Sequence, residues 1–141
     1  MAVLSLTHAV RRFSNAVPVV GIEHVQLAMP PGEEHAARAF YSGVLGIPEV
    51  PKPPTLAKRG GAWFENEVVK IHLGVERDFR SARKAHPALL VTDLVGLIEW
   101  LKVHDTDIID DEPLENYRRI YVSDPFGNRY MSQTPLVTAL S

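Results

Sequence analysis

A chain of 141 residues, 45% hydrophobic and 23% charged, is long enough for one domain with a real core and too apolar for a disordered protein. Its net charge of −2 gives no electrostatic basis for nucleic acid or an anionic membrane as partner, and no apolar run approaches the roughly 20 residues that cross a bilayer. The absence of cysteine excludes disulfides, thiolate metal sites and cysteine nucleophiles, and fits a reducing, cytoplasmic setting.

Residues 1–20, MAVLSLTHAVRRFSNAVPVV, read as an N-terminal arm. Its short apolar part precedes the basic pair Arg11 and Arg12, the reverse of a secretory signal. The arm is expected to pack on the domain or on a second subunit. A single domain is expected over residues 21–141, beginning with IEHVQLAM, a strand that carries His24. In EEHAARAFYSGVLG, Ala37, Phe40, Tyr41, Val44 and Leu45 share one face of a predicted helix, which Gly46 ends. A proline-rich turn region, IPEVPKPP, follows, and then two strands, GGAWFENE and VVKIHLGVE.

After the linker RDFRSARK the order recurs. AHPALLV reads as a strand, and TDLVGLIEWLKVHD as a helix with Leu94, Leu97, Ile98 and Leu101 on one face and Thr92 or Asp93 as its cap. TDIIDDEP, RRIYVSDPFGN and NRYMSQTP supply three more strands, with Gly127 suited to a turn of positive φ. The chain reads as two βαβββ modules, about 21–76 and 85–134, with the proline-rich turn region standing at the place of the first module's second strand. His24 to His72 spans 48 positions and His86 to Met131 spans 45, so Lys70 corresponds to Arg129 and His72 to Met131.

Taken together, IEHVQLAM, AFYSGVLGI, AHPALLV and DPFGNR resemble the vicinal oxygen chelate superfamily, which includes glyoxalase I, fosfomycin-resistance proteins, extradiol dioxygenases and bleomycin-binding proteins. The resemblance runs from about Gly21 to Gln133. It implies an α+β fold in which two tandem βαβββ modules form a curled mixed sheet around a cleft, and it implies a homodimer. It also implies metal ligands on the first and last strands of each module. Those positions hold His24, His72, His86 and Met131; the last is glutamate in metal-binding members.

Three imidazoles and a water suit a divalent ion such as Zn, Ni, Fe, Co or Mn, leaving a position open for substrate. A histidine in an apolar strand is, by itself, more often a satisfied core residue than a ligand. Strand alternation places Gln26 beside His24 and Gln133 beside Met131, as candidate contacts to substrate or metal-bound water. Met131 reads as an apolar wall of the same site. Trp63, Tyr117 and Tyr121 either shape the cleft or pack as ordinary strand residues, and Arg118, Arg119 and Arg129 either attract an anion or lie on the surface.

Three functions stay open. One is a small metal-dependent lyase, transferase or dioxygenase acting on an oxygen-chelating, anionic small molecule. Glyoxalase-type isomerisation uses a metal-site glutamate as proton shuttle in the family, and no acid stands at the matched positions. The second is a metal-free small-molecule binding protein of the bleomycin-resistance type. The third is a scaffold without small-molecule activity.

Overall fold

The computed structural model describes residues 18–110 and 117–135, so residues 1–17 of the expected arm lie outside the described part. The first module runs β1 (Val25–Met29), α1 (Glu34–Ala37), β2 (Glu49–Val50), α2 (Pro54–Ala57), β3 (Ala62–Glu65) and β4 (Lys70–Val75). The second runs β5 (Ala88–Leu90), α3 (Leu94–Val103), β6 (Ile108–Asp110), β7 (Tyr117–Ser123) and β8 (Arg129–Pro135). Each module builds one four-stranded mixed sheet, ordered β1-β4-β3-β2 and β5-β8-β7-β6. The fold is the expected α+β one, and no helix among the described residues is long and apolar enough to cross a membrane.

The repeat holds at the level of register. Gln26, two residues after His24, pairs with His72, and Ala88, two residues after His86, pairs with Met131. His72 in turn pairs with Trp63, and Met131 with Tyr121. The modules therefore superpose strand by strand, with Glu65 matching Ser123 and Asn66 matching Asp124.

Alternation decides the faces. In VKIHLGV, Ile71 and Leu73 are buried in the core together with Met29, Ala62 and Phe64. Lys70, His72 and Gly74 fall on the opposite face. Ile120, Val122 and Tyr130 do the core's work in the second sheet, and Leu94 and Leu101 of α3 join them. Side chains of this size contribute about 1.5–3 kcal/mol each when fully buried. Asp93 caps α3 by accepting the Gly96 N–H at 2.9 Å, worth about 1 kcal/mol.

The first helix differs from its sequence expectation. It is α-helical for four residues and then widens into a π-helix over Arg38–Val44, with the Leu45 N–H bonded to the Phe40 carbonyl. Phe40 and Tyr41, both in this segment, are buried as the sequence pattern led one to expect. Gly46 stops it at φ 74°, as the sequence suggested. The short α2, begun by Pro54, forms inside the segment expected to be only a turn.

Tyr41 joins the modules. Its ring stacks on Phe64 of the first sheet, and its hydroxyl donates to Asp124 at 2.6 Å and lies 3.0 Å from the Tyr130 hydroxyl of the second. Asp124 also accepts from the Phe126 and Asn128 backbone N–H groups and from Asn128 Nδ2. Asn128 Nδ2 reaches back to the Ala28 carbonyl on β1 at 2.8 Å. Burial holds the Tyr41 and Tyr130 hydroxyls far above the ordinary phenol range, so both remain protonated donors.

Candidate functional site

The face of the first sheet turned away from the core carries the candidate residues His24 and His72. Three adjacent strands raise three rings side by side: His24 just before β1, His72 on β4 and Trp63 on β3. His72 is sandwiched, 4.2 Å from the His24 ring and 4.1 Å from the indole, and is 3% exposed. The spacing follows from the register, because strands lie about 4.8 Å apart and side chains stand nearly perpendicular to the sheet.

Glu65 completes the row. It shares a face with Trp63, and its carboxylate accepts the His72 Nε2–H at 2.6 Å. At the sheet edge, Glu23 bonds His24 Nδ1 at 3.3 Å and Lys70 at 3.0 Å. The Lys70 ammonium holds the Glu23 carboxyl below its ordinary range, although both groups are solvent-exposed. Gln26 is exposed and lies across Gly74, where an added Cβ would come within 2.8 Å of the amide nitrogen.

His86 belongs to the other sheet. Its Nδ1–H donates to the Lys84 carbonyl at 2.9 Å, and its ring stands edge-on to Tyr121 at 5.2 Å. Met131 is buried, 1% exposed, between the strands that carry Ala88 and Tyr121. For Gln133 only the backbone is described, opposite Leu90 and Arg119. The structure thus brings His24 and His72 together and leaves His86 and Met131 on the second sheet. Among the described residues no group of three His, Cys, Asp or Glu side chains is placed to hold an ion.

The ring stack explains this physically. A metal must lie about 2 Å from each nitrogen and near each ring plane. Two imidazoles stacked face to face at 4.2 Å direct their lone pairs along separate, nearly parallel planes. An ion in one plane is too far from the other nitrogen. As arranged, His24, His72 and His86 do not fit a single shared metal.

The stack ends at a groove. Between the outer edges of β1 and β5 lies a cavity of about 540 Å³. Ile22, His24, Val25, Val68, Leu89 and Leu90 line it, with Glu23 and Lys70 among its polar groups. Ile22, Val68 and Leu90 are largely exposed there.

A crystal structure of a Bacillus anthracis protein assigned to the glyoxalase family superposes on this chain with a TM-score of 0.81 and 44% sequence identity. The match covers 84% of this chain and 98% of that one. The chain belongs to the glyoxalase family. Glyoxalases are members of the vicinal oxygen chelate superfamily, so this 44% identical relative bears out the resemblance read from the sequence. FosX from Listeria monocytogenes, in a complex with Mn(II) and sulfate, matches at TM-score 0.67 and 14% identity, over 83% of this chain and 91% of that one. TnmS3, an antibiotic binding protein from a Streptomyces species, matches at 0.61 and 18%, over 83% and 99%. These two likenesses concern the fold alone. No protein-family model and no curated protein matches the sequence.

Sequence reasoning missed Glu65 as the partner of His72. The signal was present: in the hairpin WFENEVVKIH, antiparallel pairing that sets Trp63 opposite His72 also sets Glu65 opposite Lys70, on the same face.

Proposed function

We propose that this glyoxalase-family protein binds a planar, largely apolar small molecule, without a metal, in the groove between β1 and β5. The observation that carries the reading is the Trp63–His72–His24 stack, which ends at a groove walled by exposed apolar side chains. A planar ring placed there extends the stack on His24, and Glu65 holds His72 upright behind it. The antibiotic-binding neighbour supports this choice of ligand class.

Acridine is a suitable fluorescent probe. Saturable binding is expected, weakened roughly three- to tenfold by His24→Ala, since an aromatic contact is worth about 0.5–1.5 kcal/mol. Leu90→Asp should weaken it further by placing a charge in the apolar wall. Equal affinity in native and both variant proteins would sink the reading.

The metal-dependent enzyme is the second reading. One observation favours it: each of His24, His72 and His86 has one ring nitrogen held by an acceptor, as metal-ligating histidines do. The manganese complex of FosX supports it too. Under this reading the ion acts in a lyase, transferase or dioxygenase on an oxygen-chelating anion, and His24 must swing away from His72. Calorimetric titration with Zn²⁺ and Mn²⁺ separates the two. One-to-one binding lost in both His24→Ala and His86→Ala would replace the metal-free reading.

The protein is also proposed to be a homodimer, supported by exposed apolar side chains at Val95, Trp100 and Val103 on α3. Sedimentation at micromolar concentration should show twice the chain mass; a monomer there overturns the proposal.

A further inference from the structure

A second crevice lies between the first helix and the loop that follows α3. It holds about 510 Å³ and shares no residue with the groove between β1 and β5. Ala36, Ala39, Phe40 and Val44 of the helical segment Glu34–Val44 form an apolar wall. Across from them stand His104, Asp105 and Asp107, and Ser123 and Asp124 also line the space. The two walls are tied together. Trp100 Nε1 on α3 donates to the Val44 carbonyl at 2.8 Å, and the His104 ring packs on the indole at 4.2 Å.

The charge of this crevice is one-sided. Among the described residues no lysine or arginine lines it, and the Asp105 and Asp107 carboxylates have no ion-pair partner. The Asp124 carboxylate, 5% exposed, is held by neutral donors: the Tyr41 hydroxyl, the Asn128 amide and the backbone N–H groups of Phe126 and Asn128. Asp105 and Asp107 also follow the C-terminal end of α3, where the helix dipole is already negative and favours a cation. Lys102 is the basic residue of that last turn, and it does not line the crevice. Three acids, no lining cation and an apolar wall together favour a ligand that carries positive charge on a hydrocarbon body. A bare metal ion fits less well, since among the described residues no three His, Asp or Glu side chains are placed to hold one.

We propose that this crevice binds a small organic cation, a protonated amine on a compact hydrocarbon body, with the ammonium held by Asp105 and Asp107 and the hydrocarbon lying on Ala36, Ala39 and Val44. The site is separate from the stack on the first sheet and does not depend on the planar-ligand reading. Val95, Trp100 and Val103, the α3 side chains of the proposed dimer, do not line it.

Cyclohexylammonium is the probe, because it is protonated at neutral pH, as a lysine side chain is, and has no flat ring to extend the stack. Calorimetry and amide NMR of the full chain should show saturable binding, with the Ala39, Thr106 and Ser123 resonances moving along the same isotherm. Cyclohexanol, the neutral counterpart, should bind roughly tenfold more weakly. The double variant Asp105→Asn, Asp107→Asn should weaken cyclohexylammonium by a similar factor. Asparagine tolerates the φ of 51° at position 105, so the loop is kept. Ala39→Leu, which fills the crevice and keeps both acids, should weaken binding too. Glu99→Gln on α3 and His24→Ala beside the other groove should leave it unchanged. No saturation at concentrations on the order of 50 mM overturns the proposal, as does equal affinity for cyclohexanol or an equal loss in Glu99→Gln or His24→Ala. Binding that leaves those amide resonances unmoved overturns it even if the double variant does not fold.

Discussion

Asp124→Ala is expected to cost about 3–5 kcal/mol of folding stability, a fall in Tm on the order of 10–15 °C. The carboxylate is 5% exposed and accepts from Tyr41, from the backbone N–H groups of Phe126 and Asn128, and from Asn128 Nδ2. Removing it strands those donors inside the protein. Tyr41→Phe should cost less, about 1–2 kcal/mol, because Asp124 keeps its other donors. Urea melts of the three proteins, with m-values unchanged, check the order. A loss below about 1 kcal/mol for Asp124→Ala would show that water replaces the network.

The same carboxyl gives a pH dependence of definite sign. Burial pushes the Asp124 carboxyl above its ordinary value, and the hydrogen bonds from Tyr41, Asn128 and Phe126 pull it back only in part. The folded chain therefore holds this proton more tightly than the unfolded chain does. The resulting stabilisation is fully present below the ordinary carboxylate range and is lost as pH rises through the raised folded value. Asp124→Asn has no such titration. The stability of the native protein relative to that variant should decline across this window and level off above it.

Gly61→Ala is the second large effect, expected to cost about 3 kcal/mol or more. A Cβ there would sit 2.1 Å from the Leu73 carbonyl oxygen, and the backbone φ is +81°. The collision is with β4 itself, beside His72, and cannot be relieved by a side-chain rotation. Gly46→Ala provides the comparison: φ is +74°, but nothing lies within 4 Å, so only the left-handed conformation is penalised, at about 1 kcal/mol. Thermal unfolding of both variants tests the difference. Equal costs would mean that the close approach at Gly61 relaxes freely.

The repeat was legible because alternation is rigid. A strand that buries Ile71 and Leu73 must turn Lys70 and His72 the other way, and the matching intervals carried this to Arg129 and Met131. The α3 helix was legible for the same local reasons, and its cap was narrowed to Thr92 or Asp93, of which the structure uses Asp93. What escaped the sequence depends on contacts between distant elements. His72 was readable as a polar residue on the open face, but its place between His24 and Trp63 needs three strands in register at once. The separation of His86 from that pair depends on how two whole sheets are set together, which no spacing encodes. DPFGN was readable as a turn, whereas the use of Asp124 to bind Tyr41, 83 residues earlier, was not.

The turn at Asp124 has a counterpart at Asn66, and the pair bears on the order in which the chain assembles. Asn66 Oδ1 caps its own turn, accepting from the Val68 and Val69 N–H groups, and Asp124 Oδ1 does the same for Phe126 and Asn128. Only the second turn has a further oxygen that reaches the other module. The local caps close loops of a few residues, whereas the bonds from Tyr41 to Asp124 and from Asn128 to Ala28 close 83 and 100 residues. Each hairpin is therefore expected to form early, and the clasp between the halves to form after the transition state. In a chevron plot, Asp124→Ala should steepen nothing and slow folding little; its destabilisation should emerge as faster unfolding.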